Sequence, residues 1–86
     1  MSILLTGGAG YIGSHTAVEL ITAGFEVIIV DDFSNSSPEV LNRLKTITGQ
    51  NIPFYEGTIL DKTFLNNIFY ENDIEAVIHF AAFKAV

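Results

Sequence analysis

An α/β fold with a parallel sheet is the class this sequence points to. Short apolar runs alternate with amphipathic runs along the whole chain, a glycine-rich segment sits between the first run of each kind, and the second apolar run is β-branched throughout. The chain is 49% hydrophobic and 16% charged, too apolar for a disordered segment and suited to strands covered on both faces.

Ser2 to Thr6 reads as the first strand. After the glycines, Ile12 to Ala23 carries Ile12, Ala17, Leu20 and Ile21 near helical spacing, and Gly24 supplies a stop. Phe25 to Val30 contains Val27-Ile28-Ile29-Val30, a run fit for a central strand with no solvent face. Asp31 to Ser37 is a polar loop, and Ser37-Pro38-Glu39 announces a second helix by its cap, its first-position proline and its first-turn acid. That helix runs to about Thr48 and stops at Gly49.

Ile52 to Glu56 reads as a short third strand, in which Pro53, unable to donate to a ladder, favours a strand start or an edge. Asp61 caps a third helix with Phe64, Leu65, Ile68 and Phe69 on one face, and Ala76 to Phe80 forms a fourth strand. Right-handed crossovers between four such strands give the order 3-2-1-4, with the ligand crevice beside strand one. Eighty-six residues is short for a doubly wound domain, so the expected architecture is the truncated first half of a Rossmann-like fold, residues 1–86, with no second domain. The outer edge of strand four is then left for self-association.

The formal net charge of −6, from ten acidic and four basic side chains, gives no cationic surface for nucleic acid or an anionic membrane. No cysteine is present, so disulfides and thiolate metal sites are excluded, and no metal is expected. Ile3-Leu4-Leu5 is interrupted by Gly7 and Gly8 and lacks a basic flank, which fits neither a signal peptide nor a membrane span. A soluble cytoplasmic chain is the expectation.

Chemistry concentrates in Thr6-Gly7-Gly8-Ala9-Gly10-Tyr11-Ile12-Gly13, where glycines at 7, 10 and 13, or at 8, 10 and 13, fit a dinucleotide turn. An early glycine lets the chain leave the strand tightly, Gly10 lets backbone approach a pyrophosphate, and Gly13 lets the helix pack closely on the sheet. Asp31, 18 residues beyond Gly13, stands where an acid accepts from the adenosine ribose and repels a 2′-phosphate, so NAD is expected over NADP. His15 and His79 lie on different elements without metal-ligand spacing and read as hydrogen-bonded structural histidines. Lys84, just past the fourth strand, reads equally as a phosphate-facing or a solubilising side chain.

The segments Thr6 to Thr16, Asp31-Asp32-Phe33-Ser34-Asn35-Ser36 and Val77 to Val86 resemble the amino-terminal part of the UDP-glucose 4-epimerases, in the extended short-chain dehydrogenase family of NAD-dependent epimerases and dehydratases. The resemblance implies that Tyr11 and Ile12 approach the pyrophosphate, and that Asp31, Asp32, Phe33, Ser34, Asn35 and Ser36 surround the ribose. It further implies that Thr58 and Ile59 lie near the adenine, and that Phe80, Ala81, Ala82, Phe83 and Lys84 border the cofactor. Asp32, Thr58 and Ala82-Phe83 depart from the family's usual asparagine, aspartate and Gly-Leu. The implied parent reaction interconverts UDP-glucose and UDP-galactose in galactose metabolism, through a tyrosine base and a lysine four residues later. Here Tyr11, Tyr55 and Tyr70 are followed at that spacing by His15, Ile59 and Ile74. No catalytic residue is therefore assigned within the chain, which is expected to be inactive alone, with UDP-sugar a partner only of a full-length parent. The competing readings are a non-catalytic dinucleotide-binding module and a piece of another sugar-nucleotide epimerase or dehydratase.

Overall fold

Successive side chains of a strand point to opposite faces, so a strand covered on both sides must be apolar at every position. The computed structural model describes residues 2–7, 11–32 and 39–80. In it, β1 (Ser2–Thr6) and β2 (Glu26–Asp31) are strands of that kind. Leu4, Leu5 and Ile29 are fully buried, and Val27, Ile28 and Val30 nearly so.

Their alternation divides the core in two. Ile3, Leu5, Val27 and Ile29 join Ala17 and Ile21 of α1 (Tyr11–Thr22) and Leu44 of α2 (Glu39–Thr48). Leu4, Ile28 and Val30 join Ile68 of α3 (Lys62–Glu71) on the opposite face. The sheet is thus a middle layer with α1 and α2 on one side and α3 on the other. Each large aliphatic side chain buried there contributes roughly 1.5–3 kcal/mol.

With β3 (Phe54–Glu56) and β4 (Ile74–His79), the strands form one sheet in the order β3-β2-β1-β4, every pairing parallel. This is the expected order. Pro53 precedes the edge strand β3, where its missing N–H costs nothing, and its carbonyl accepts from the Ile29 amide at 3.0 Å.

Element ends differ from the sequence reading for identifiable reasons. Gly24, at φ 98°, takes the left-handed conformation, and the Gly24 and Phe25 amides donate to the Ile21 and Leu20 carbonyls at 3.0 Å each. That paired closure ends α1, so Phe25 belongs to the turn and β2 begins at Glu26. β4 begins at Ile74, two residues before the expected start. The register slips between Ser2↔Ile74 and Ile3↔Ala76, a bulge that takes Glu75 out of the pairing and so admits a charged residue to the strand.

Asp61 caps α3 as expected, its carboxylate accepting from the Phe64 amide at 3.1 Å. Phe64, Leu65 and Ile68 pack into the second cluster. Phe69 does not join them: it lies about 100° round the helix from Ile68 and is 43% exposed. The proposed cap Ser37 and Pro38 lie outside the described residues, whereas Glu39 stands in the first turn of α2 and Lys45 in the last, each complementing the helix dipole.

Candidate functional site

A parallel sheet delivers the carboxyl end of every strand to one edge. The register brings Thr6 beside Val30 and His79, and Asp31 beside Glu56, so four chain segments leave the sheet together. Backbone hydrogen bonds hold those exits in line: the Gly7 amide donates to the Val30 carbonyl at 2.7 Å, the Gly57 amide to the Asp31 carbonyl at 3.0 Å, and the Phe80 amide to the Thr6 carbonyl at 2.8 Å. Strand order reverses between β1 and β4, which places the crevice of this fold at Thr6 and Gly7.

Gly7 is buried and has φ 73°, a left-handed backbone that a side chain disfavours. It starts the connection to α1, which begins at Tyr11, one residue before the expected start. Gly13 is buried within the first turns of that helix, as close packing on the sheet requires, while Ile12 is 63% exposed. The sequence reading counted Ile12 with the helix's apolar face. It instead points outward beside the helix start. The first turn of α1 holds no acidic side chain, so no carboxylate there opposes an anion at the positive end of the helix.

Asp31 ends β2, on the same side of the strand as Val27 and Ile29 and therefore on the α1 side of the sheet. Its side chain is buried, at 3% exposure, and Asp32 beside it is exposed. Thr58 follows the third strand at the same edge, its hydroxyl accepting from the Leu60 amide at 3.2 Å. Ile59 and Phe80 both have a second role in packing, Ile59 against the α3-side cluster and Phe80 against the α1-side cluster.

The structure thus brings Gly7, Asp31, Asp32, Thr58, Ile59 and Phe80 to one edge, with the start of α1 alongside. Gly10, Phe33, Ser34, Asn35, Ser36, Ala81, Ala82, Phe83 and Lys84 lie outside the described residues, and only the backbone of Tyr11 is described. His15, one turn into α1, lines a groove between α1 and α2 with Ser14, Val18, Val40 and Arg43. His79 has the structural partner expected of it: its Nδ1 is hydrogen-bonded to the Thr6 hydroxyl. That partner went unnamed in the sequence, though a polar residue closing each of two neighbouring strands was the available signal. Among the described residues no three His, Asp or Glu side chains are grouped to hold a metal ion, and no helix is long and apolar enough to cross a membrane.

The sequence model of a family described as GDP-mannose 4,6 dehydratase matches residues 4–86. The chain is 59% identical over 86 residues to UDP-glucose 4-epimerase of Bacillus subtilis (strain 168), covering 100% of this chain and 25% of that protein. It is 60% identical, with the same coverage, to UDP-glucose 4-epimerase of Haemophilus influenzae. Among solved structures, UDP-glucose 4-epimerase from Bifidobacterium longum in complex with NAD+ and UDP superposes with a TM-score of 0.90 at 45% identity, over 93% of this chain and 24% of that one. The enzyme from Stenotrophomonas maltophila with bound NAD and formylated UDP-arabinopyranose gives 0.89 at 45% identity, again over 93% and 24%. The chain spans about a quarter of the length of these relatives.

Proposed function

Because the chain belongs to the family described as GDP-mannose 4,6 dehydratase, we propose that it is the NAD-binding segment of a UDP-glucose 4-epimerase. The observation that carries this is the sheet edge itself. A positive-φ glycine after β1, a helix start without acids and a carboxylate closing β2 stand side by side, beside the reversal of strand order. These features fit a dinucleotide, because a pyrophosphate needs close backbone and free N–H groups, and a ribose needs an acceptor one strand away.

In this reading Gly7, Gly10, Tyr11, Ile12 and Gly13 form the pyrophosphate turn. Asp31 accepts from the adenosine ribose hydroxyls, with Asp32, Phe33, Ser34, Asn35 and Ser36 around them. Thr58 and Ile59 border the adenine, and Phe80, Ala81, Ala82, Phe83 and Lys84 border the rest of the cofactor. Ribose contact requires the buried Asp31 carboxylate to be uncovered as the nucleotide enters. NAD is favoured over NADP because that carboxylate repels a 2′-phosphate. When bound, the cofactor supplies a hydride acceptor for oxidation of a sugar hydroxyl.

The parent reaction in this reading is the interconversion of UDP-glucose and UDP-galactose, carried out in the cytoplasm. These 86 residues hold no tyrosine followed four residues later by lysine, so they provide no base of that kind for the sugar hydroxyl. The test has two parts. Calorimetric titration of the 86-residue chain should show NAD binding, tighter than NADP, and absence of NAD binding would overturn the reading. Incubation of the same chain with NAD and UDP-galactose should form no UDP-glucose above a protein-free control. Turnover abolished by a bulky residue at Gly10 would overturn the assignment of no catalytic group.

A further inference from the structure

The seam between β1 and β4 is where strand order reverses, and a dinucleotide in this fold lies across it. Two interactions close that seam at its ligand end. One belongs to the backbone, the Phe80 amide donating to the Thr6 carbonyl at 2.8 Å. The other is between side chains, the Thr6 hydroxyl with Nδ1 of His79. Thr6 is 3% exposed, so its hydroxyl is shielded from water and depends on this partner, whereas the His79 side chain reaches the surface. A hydroxyl both donates and accepts, so the bond persists in either neutral tautomer of the ring.

The residues that follow each partner give this bond a functional meaning. Thr6 immediately precedes Gly7, whose amide is tied to Val30 on the other side, and His79 immediately precedes Phe80. Gly7 and Phe80 therefore stand on the two sides of this seam, and the Thr6–His79 pair fixes their separation. We propose that Thr6 and His79 are positioning residues for the dinucleotide: their side-chain hydrogen bond holds Gly7 and Phe80 at the spacing a bound dinucleotide requires. This rests on the NAD-binding reading above, and it adds two residues that touch no cofactor atom in that reading.

The test uses shape-preserving pairs. Thr6→Val and His79→Phe remove the hydrogen bond and keep the bulk, while Thr6→Ser and His79→Asn keep a group able to form it. Loss of one such bond should weaken NAD binding about fivefold in T6V and in H79F. T6S and H79N should stay within about twofold of the wild type, since they retain the bond. The T6V/H79F double variant should be no weaker than either single one, because both remove the same interaction. Calorimetric dissociation constants for NAD, measured well below each variant's melting temperature, give the readout. Wild-type affinity in T6V and H79F, or additive losses in the double variant, would overturn the proposal. So would unfolding of both bond-removing variants, since the bond would then hold the sheet together and not the crevice. If the wild-type chain itself binds no NAD, the parent reading fails first and takes this one with it, an outcome separable from selective loss in the variants.

Discussion

The ring of Phe64 occupies the space into which a side chain at residue 57 would grow. A β-carbon built on Gly57 would stand 2.6 Å from Phe64 Cζ and 2.8 Å from Cε2, well inside van der Waals separation. The ring is held from behind by its edge-on contact with Tyr55, centroids 6.4 Å apart, and by the α3-side cluster. Gly57→Ala is therefore expected to cost roughly 1–3 kcal/mol, the range for overpacking. Thermal unfolding followed by circular dichroism should show the loss, and Phe64→Leu introduced into the G57A background should recover part of it.

At the start of α3, the Asp61 carboxylate satisfies the Phe64 amide, which has no partner within the helix. Asp61→Ala should lower stability by about 1 kcal/mol, with Asp61→Asn close to wild type. Urea unfolding curves for the two variants, compared at constant slope, measure the difference.

Gly7 combines a left-handed backbone with burial at the mouth of the crevice. Gly7→Ala should cost about 1–2 kcal/mol from backbone conformation alone, and Gly7→Val more, because a β-branched residue is least tolerant of positive φ. Both variants should lose NAD affinity by more than they lose stability. Paired melting and calorimetric measurements would reveal a purely structural role if the two losses ran in parallel.

Asp31 sets the choice between the two nicotinamide cofactors in the proposed function. Removing a hydrogen bond to a charged acceptor costs about 1.5–3 kcal/mol, so Asp31→Ala should weaken NAD binding at least about tenfold. NADP binding should change little or improve, because the repulsion between the carboxylate and its 2′-phosphate disappears. Titration of wild type and variant with both cofactors checks this, and equal wild-type affinity for the two would show that Asp31 does not contact the ribose.

Strand order was readable in the sequence because few residues could do anything else. Val27-Ile28-Ile29-Val30 tolerates no solvent face, Pro53 suits a strand start or an edge, and right-handed crossovers leave one order for four strands. Local chemistry was equally plain at Gly24 and Asp61, where the signal and its structural partner lie within a few residues. Features set by distant neighbours were not readable. The slip that admits Glu75 to β4 depends on how β1 lies against it, and the bond from Thr6 to His79 spans 73 positions. Apolar identity also misled at Ile12 and Phe69, which sit on helices but face outward.

That same separation shapes how the chain acquires its structure during synthesis. Of the described strands β1 leaves the ribosome first, yet one of its two neighbours is β4, which leaves last. At about 5–20 residues per second, Thr6 waits roughly 4–15 s for His79 to be translated. Until then Ile3, Leu4 and Leu5 can pair only with β2, and their other flank presents open backbone groups beside an apolar face. The nascent chain therefore carries an unfinished apolar strand while the residues between Thr6 and His79 are made, and chaperone demand at this strand should fall once Ile74 to His79 emerge.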